Sequence, residues 1–127
     1  MRLKHFSLNY GTQVFKSFSE ESRVRILNII YTQKEMCISD LEQVLGFTQT
    51  KTSRHLVYLK NSGILSSRNV DQWVFYYLKD EVLDIVGQLL MFLNKDITLI
   101  KDLETFRILY SNRELALNKI MAKKWTN

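Results

Sequence analysis

The apolar positions of this chain follow helical spacing at both ends and alternating spacing in one short central region. From Leu3 to Phe18 large apolar side chains recur every four residues, which predicts an amphipathic helix weakened or interrupted at Gly11. Ser19 is expected to cap a second helix that ends near Thr32, and residues 33–36 to form a polar connection. The apolar positions of the second helix predict that it lies in the core, and they are Val24, Ile26, Leu27 and Ile30.

Two further helices are predicted on either side of a very short turn. Residues 39–42 read Ser-Asp-Leu-Glu, which fits the reciprocal capping pattern, and the short helix behind them stops at Gly46. Only Phe47 separates that glycine from Thr48, which is expected to cap a helix with a glycine stop at Gly63. Two helices joined by so tight a turn form a helix-turn-helix.

After the second of these helices the spacing alternates. Residues 64–69 and 73–78 are strand-like runs, the second rich in aromatic and β-branched side chains, and residues 70–72 would form a hairpin tip. A hairpin directly after a helix-turn-helix is a wing. The alternative is a small sheet that only completes the core, a role that Trp73 and Tyr77 are expected to share.

Helical spacing returns in the last third of the chain. Asp80 is expected to cap a helix that continues to Leu93, and Asp96 to cap the next one after a break at residues 94–96. A second capping pattern, Ser-Asn-Arg-Glu at residues 111–114, predicts a final short helix through Leu115, Leu117, Ile120 and Met121.

These elements predict a mostly α-helical protein with a small β-hairpin, that is, a winged helix-turn-helix with N- and C-terminal dimerisation helices. A chain of 127 residues suits one domain over 1–127 with a single core. The helix-turn-helix and wing would occupy residues 19–79, and residues 1–18 and 80–127 would be helical dimerisation flanks.

Composition agrees with a helical globular protein, since the chain has no proline, four glycines and 46% hydrophobic residues. No apolar run is long enough to span a bilayer, and residues 1–5 lead into no signal-peptide core, so we expect a cytoplasmic protein with no membrane partner. The formal net charge of +5 modestly favours a polyanionic partner.

The helix that follows Thr48 carries the clearest chemistry. A helical wheel directs Thr52, Leu56 and Leu59 to one side. The opposite, outward face holds Thr50, Lys51, Arg54, Tyr58 and Asn61. No acid occurs from residue 48 to residue 69, whereas four bases do, and solvated helix faces usually mix both signs. The pattern therefore favours contact with phosphates and base edges.

The flanks are richer in large apolar side chains than a small helix-turn-helix core can cover. Each such side chain left exposed would forgo about 1.5–3 kcal/mol. A two-fold partner would bury the first helix and the helix after the wing. The residues expected in that interface are Phe6, Tyr10, Val82, Ile85, Val86, Leu89 and Leu93. The alternative is that the flanks fold back onto their own domain.

Four segments together resemble the ArsR/SmtB-type winged-helix repressors. Residues 19–27 are similar to the arginine-containing entry of that family's second helix, and residues 35–41 to the segment before its short helix. Residues 48–56 are similar to its recognition helix, and residues 73–78 to the returning strand of its wing. The similarity covers about residues 15–93, and the combination is more specific than any one segment.

The resemblance implies a homodimer that binds a palindromic operator in double-stranded DNA and represses transcription until a signal releases it. In this geometry the start of the recognition helix reaches base edges. The residues expected to make those contacts are Gln49, Thr50, Lys51, Ser53 and Arg54. Arg68 and neighbouring wing residues would contact phosphate or the minor groove. His55 matches a histidine common in the family and is expected to pack or to contact phosphate, and Tyr58 lies on the same outward face.

The chain departs from the metal-sensing members of that family. Cys37 matches one position of their paired-cysteine site, but Ser39 stands at the other, and soft cations need several thiolates or imidazoles. The family's second site uses carboxylates and histidines on the C-terminal helices, whereas the histidines here are His5 and His55. We therefore expect no metal site and no cofactor.

The sequence thus predicts a DNA-binding transcriptional regulator, with a winged-helix interaction or assembly module as the alternative. No enzyme is expected, because no nucleophile has a base beside it and no Gly-rich phosphate loop is present. Cys37 fits either a small buried hydrophobe or a redox-sensitive thiol near the positive end of the short helix.

Overall fold

The computed structural model describes residues 5–119, and most of them are helical. In chain order the elements are α1 (Leu8–Ser17), α2 (Glu21–Gln33), β1 (Glu35–Cys37), α3 (Ile38–Leu45), α4 (Gln49–Asn61), β2 (Leu65–Val70), β3 (Trp73–Leu78), a 3₁₀ turn (Asp80–Val82), α5 (Leu83–Met91) and α6 (Ile97–Ser111). The predicted fold class, a mostly α-helical winged helix-turn-helix, is confirmed. None of the helices between residues 5 and 119 has the length and hydropathy that a membrane span requires.

The hairpin predicted after α4 is confirmed. β2 and β3 pair antiparallel, and the register runs from Leu65 opposite Leu78 to Val70 opposite Trp73. The turn between them is formed by residues 71 and 72. Asp71 has a φ of 55°, in the left-handed region that Asp and Asn occupy more readily than most side chains.

The polar connection expected at residues 33–36 is wrong over its second half, because Glu35–Cys37 form a third strand. β1 pairs antiparallel with β3, so the sheet order is β1-β3-β2. Met36 and Cys37 are fully buried there. A three-residue strand is too short to show alternation in the sequence, and its pairing with β3 defines it. This strand joins the wing to the helical core.

Two of the predicted helix caps, at Thr48 and Asp96, are confirmed. The Oγ1 of Thr48 accepts from the backbone N–H of Lys51 at 3.2 Å, at the start of α4. The Oδ1 of Asp96 accepts from the N–H groups of Thr98 at 2.9 Å and Leu99 at 3.3 Å, at the start of α6. Both side chains satisfy amides that a helix leaves unpaired in its first turn.

Glycines end α3 and α4 as predicted. Gly46 and Gly63 have φ values of 71° and 79°. A Cβ at Gly63 would lie 2.9 Å from the ring of Tyr10, whose hydroxyl donates to the Gly63 carbonyl at 2.6 Å. Gly11 does not interrupt α1, which begins at Leu8, later than the pattern suggests.

Other predicted caps are wrong, because those helices start at other residues. The Oγ of Ser19 donates to the carbonyl of Lys16 instead of capping α2. Cys37 occupies the N-cap position of α3, because β1 leads into that helix without a loop, and Ser39 lies inside the helix. Asp80 opens a 3₁₀ turn, and α5 stops at Met91, short of the expected end.

The final helical segment begins differently from the prediction. α6 continues through Ser111, and residues 116–119 are helical; the predicted positions 120 and 121 lie outside the described residues. The carboxylate of Asp40 on α3 accepts from the N–H of Ala116 at 2.7 Å and of Leu117 at 2.9 Å. Burial raises the pKa of Asp40, an effect that the two amide hydrogen bonds oppose. A residue remote in sequence therefore caps this segment.

Helix α2 lies at the centre of the core. Its side chains Ile26, Leu27, Ile29 and Ile30 are fully buried. α2 contacts α3, α5, α6, β1 and β3. The helix-turn-helix, the sheet and the C-terminal helices therefore share one packing partner.

Candidate nucleic-acid interface

Helix α4 has one buried face and one solvent-facing face. Thr52, Leu56 and Leu59 are fully buried, as the helical wheel predicts. The opposite face carries the residues expected to contact DNA, of which Gln49, Thr50 and Arg54 are exposed and Lys51 and Ser53 partly exposed. Gln49, Thr50, Ser53 and Arg54 line one shallow concavity. The structure thus brings these five residues together on the first two turns of the helix.

Two residues that precede α4, Phe47 and Thr48, contact its first turn. Besides the Thr48 cap, the Oγ1 of Thr52 donates to the carbonyl of Thr48 at 2.8 Å. The Lys51 ammonium lies 4.2 Å from the centroid of the Phe47 ring. Cations are attracted to the π face of aromatic rings. Lys51 therefore leaves the helix in a direction set by Phe47.

The structure does not support His55 as a DNA contact. The residue is 2% exposed and lies on the inner side of α4. Its Nε2 is 3.3 Å from Oε1 of Glu20, without the geometry of a hydrogen bond. Of the two roles expected from the sequence, packing is therefore the one that its position fits.

Tyr58 is only half-buried, but a cation partly covers its ring. The Arg23 guanidinium lies 4.3 Å from the ring centroid. Arg23 itself is nearly buried and donates to Oε2 of Glu20 at 2.8 Å and to the carbonyl of Lys16 at 2.6 Å. This arrangement fixes α1, α2 and α4 to one another. No local pattern in the sequence shows this role of Arg23, because the Tyr58 ring that it covers is distant in the chain.

On the wing, Arg68 is already paired with a carboxylate. Its Nη2 and Nε donate to the two oxygens of Glu35 on β1 at 2.6 and 2.7 Å. This hydrogen-bonded pair raises the pKa of Arg68. Lys60 donates to the Oγ of Ser67 on β2 at 2.8 Å. Arg68 therefore ties β2 to β1, and its charge is compensated locally.

The residues expected at a dimer interface occupy different environments. Val82 and Val86 are fully buried within the single chain, so they are corrected to core residues. Phe6, Tyr10, Ile85 and Leu89 are partly buried, and Leu93 is 40% exposed. The most exposed large apolar side chains lie elsewhere on α1 and at the corner between α5 and α6, and they are Leu8, Phe15, Met91, Phe92 and Ile97.

Cys37 lies in the core beside the sheet. It is 1% exposed and packs against Phe75. Its Sγ lies 3.3 Å from the Oγ of Ser39. Burial raises the pKa of the Cys37 thiol, and the Ser39 hydrogen bond opposes this only in part. Between residues 5 and 119 no group of three or more His, Cys, Asp and Glu side chains is arranged to hold a metal ion.

Comparison with known proteins identifies the central segment. Residues 20–67 match the family model described as bacterial regulatory protein, arsR family. The arsenic resistance transcriptional regulator ArsR1 of Pseudomonas putida is 41% identical over 69 residues, covering 54% of this chain and 54% of that protein. ArsR2 of the same species is 40% identical over 77 residues, covering 61% of this chain and 67% of that protein. The chain thus spans about half to two thirds of the length of these relatives.

The fold also has a counterpart among solved structures. The solution structure of the homodimeric winged helix-turn-helix DNA-binding domain of Mb0332 from Mycobacterium bovis aligns with a TM-score of 0.62 at 20% identity. The alignment covers 69% of this chain and 82% of that one. This likeness shows the winged-helix architecture.

The buried position of His55 predicts a pH-dependent stability. Burial lowers the pKa of His55, the Glu20 carboxylate opposes this, and the nearby Arg54, Arg23 and Lys51 charges reinforce it. An unfolded histidine takes up a proton near pH 6.5, whereas folded His55 does so only at lower pH. The unfolded state therefore binds more protons in this interval, and the stability present above about pH 6.5 is lost as the pH falls.

We expect the free energy of unfolding, measured by urea denaturation, to decrease between about pH 7.5 and about pH 5.5. His55→Gln should show a weaker decrease, because its amide does not titrate. His5→Gln, which changes the exposed histidine, is the control and should behave like wild type. The same pH dependence in wild type and His55→Gln would contradict this assignment.

Proposed function

We propose that this chain, which belongs to the arsR family of bacterial regulatory proteins, binds double-stranded DNA and represses transcription. The observation that carries the proposal is the surface of α4. Its first two turns present Gln49, Thr50 and Arg54 to solvent, with Lys51 and Ser53 partly exposed. These side chains are donors suited to phosphates and to base edges in the major groove.

Charge distribution supports α4 as the main contact. The segment from residue 48 to residue 69 has no acidic residue, so the α4 surface carries no charge from its own segment that would repel phosphate. Arg68 on the wing pairs with Glu35, whereas neither Lys51 nor Arg54 forms an ion pair within the described residues. We therefore assign base and phosphate contacts to α4 and a smaller electrostatic part to the wing.

The alternative, a winged-helix interaction module whose basic face is only solvated, differs in one measurable property. Neutralising phosphates releases counterions from DNA, so specific binding weakens steeply as salt concentration rises. An interaction module would show little salt-dependent retention on DNA.

The first test replaces the two exposed basic residues of α4. Arg54→Ala should weaken binding by about 1–3 kcal/mol and relax one position of the site, as expected for a residue that reads a base. Lys51→Ala should weaken binding to all sequences alike and reduce the salt slope by about one unit, as expected for a phosphate contact. Both variants should keep the fold, because neither residue is buried.

Affinity would be measured by fluorescence anisotropy at several salt concentrations. The probe is a labelled duplex that the wild-type protein selects from a random-sequence library. Lys101→Ala removes an exposed lysine of α6 and is the control for net charge. Undiminished binding by the double variant Lys51→Ala/Arg54→Ala would sink the assignment of α4 as the DNA-reading helix.

We further propose that no metal ion is the signal. The relatives named above are arsenic resistance regulators, but the donor set at Cys37 does not fit a soft cation. One buried thiol stands beside a serine hydroxyl, and its raised pKa disfavours the thiolate that metals require. The same burial favours a core cysteine over a redox-sensitive thiol.

Zinc, cadmium and arsenite should therefore leave DNA affinity unchanged in a gel-shift titration. Wild type and Cys37→Ser would be compared, with peroxide as an additional arm. A metal response of wild type that disappears in Cys37→Ser would reveal a metal site at this thiol. A peroxide response of wild type that disappears in Cys37→Ser would favour a redox-sensitive thiol over a cysteine that only packs in the core.

We also propose a homodimer on a palindromic operator. Phe15 and Phe92 are 66% and 84% exposed, and the large apolar side chains beside them remain uncovered by the described residues. A second copy would bury such surfaces through a two-fold interface, and a two-fold dimer matches a palindromic site. The Mycobacterium bovis domain of the same fold is itself homodimeric.

Phe15→Asp and Phe92→Asp should each shift the protein toward monomer, because an interface does not accept an unpaired carboxylate. Sedimentation velocity at micromolar concentration measures the change, and the affinity for the selected duplex should fall with it. Lys16→Asp alters the charge of α1 at a neighbouring exposed position and should remain dimeric. Wild type sedimenting as a monomer would refute the dimer.

A further inference from the structure

Helix α6 is anchored to α2 by an ion pair that lies close to the helix-turn-helix. The Nε and Nη2 of Arg25 donate to the two carboxylate oxygens of Asp102, both at 2.9 Å. The side chains of Arg25 and Asp102 are 26% and 6% exposed. Two parallel hydrogen bonds of this kind fix the plane of the guanidinium as well as its position.

The same guanidinium contacts the turn between α3 and α4. Its Nη2 donates to the carbonyl of Leu45, the last residue of α3, at 3.3 Å. Carbonyl groups in the last turn of a helix have no partner within that helix, so this bond supplies one. The guanidinium carbon also lies 4.9 Å from the centroid of the Phe47 ring. Arg25 therefore holds the turn on both sides of Gly46.

Phe47 continues the chain of contacts to the DNA-facing surface. Its ring is the one over which the Lys51 ammonium lies, at 4.2 Å. Two cations thus share one aromatic ring, and like charges near each other repel. The Asp102 carboxylate compensates the charge of Arg25, which lowers the repulsion that Lys51 meets at this ring.

We propose that Asp102 is a positioning residue for the DNA-binding surface, because it holds Arg25 against the turn and so determines where Phe47 presents the Lys51 ammonium. The inference rests on the proposed DNA-binding function. It extends the DNA-binding machinery to α6, which begins 30 residues beyond the segment 20–67 that matches the family model. Asp102 itself touches no DNA.

The test compares Asp102→Asn with Glu104→Gln on the same helix. Glu104 is 55% exposed and lies 3.8 Å from Arg107, an exposed pair of the kind that contributes little. Asp102→Asn should weaken binding to the selected duplex roughly three- to tenfold, as expected for residues that couple through one network of contacts. It should also reduce the salt slope by up to about one unit, because the Lys51 contact is lost. Glu104→Gln should bind like wild type.

A double-mutant cycle separates positioning from general destabilisation. In the Lys51→Ala background, Asp102→Asn should weaken binding by less than about twofold, because the group that it positions is already absent. Phe47→Leu keeps the ion pair between Arg25 and Asp102 and removes the ring. It should therefore also weaken DNA binding less in the Lys51→Ala background than in wild type. If Asp102→Asn fails to fold, Phe47→Leu still tests the contact between Phe47 and Lys51 through which Asp102 would act.

The outcomes are distinct. Wild-type affinity of Asp102→Asn, or losses that add fully with Lys51→Ala, would overturn the positioning role. Full additivity of Phe47→Leu and Lys51→Ala would overturn it independently. Absence of salt-dependent DNA binding by the wild-type chain would instead remove the proposed function itself.

Discussion

The burial of α2 constrains the rest of the molecule. Ile26, Leu27, Ile29 and Ile30 lie on more than one side of the helix and are all fully buried. A helix that is apolar on several sides needs packing partners on each of them. α3, α5, α6 and the sheet supply those partners. Because the helix-turn-helix and α6 both pack on α2, their relative position is defined. Arg25 on α2 can therefore contact both Asp102 on α6 and the turn between α3 and α4.

Buried charged groups determine which arrangement of these elements is stable. Asp40 accepts two backbone amides of the final helical segment, and Asp102 forms a bidentate pair with Arg25. Removing a charge from water costs several kcal/mol, which the paired geometry offsets only when both partners are in place. These contacts therefore add little net stability, but they disfavour any packing in which α6 or the C-terminal segment shifts.

The same pairing decides which basic residues remain available to a polyanion. Arg68 and Arg25 face carboxylates, and Lys60 donates to Ser67. Lys51 and Arg54 stay at the surface of α4, and Lys51 is oriented by the Phe47 ring. A net charge of +5 does not show where on the protein a polyanion would bind. Lys51 and Arg54 belong to a segment without acidic residues, and this places the proposed contact on α4.

The sequence by itself determined several elements whose signals lie within a few residues, although the equally local cap signals at Ser19 and Ser39 were wrong. The Thr48 and Asp96 caps, the glycine stops and the alternating hairpin depend on neighbours in the chain, and all were predictable. Only the tertiary structure decided β1, the cap supplied by Asp40, the burial of His55, and the core positions of Val82 and Val86. In each of these cases the partner is distant in sequence. A local pattern shows that a side chain is apolar or able to cap, but not which remote group it will meet.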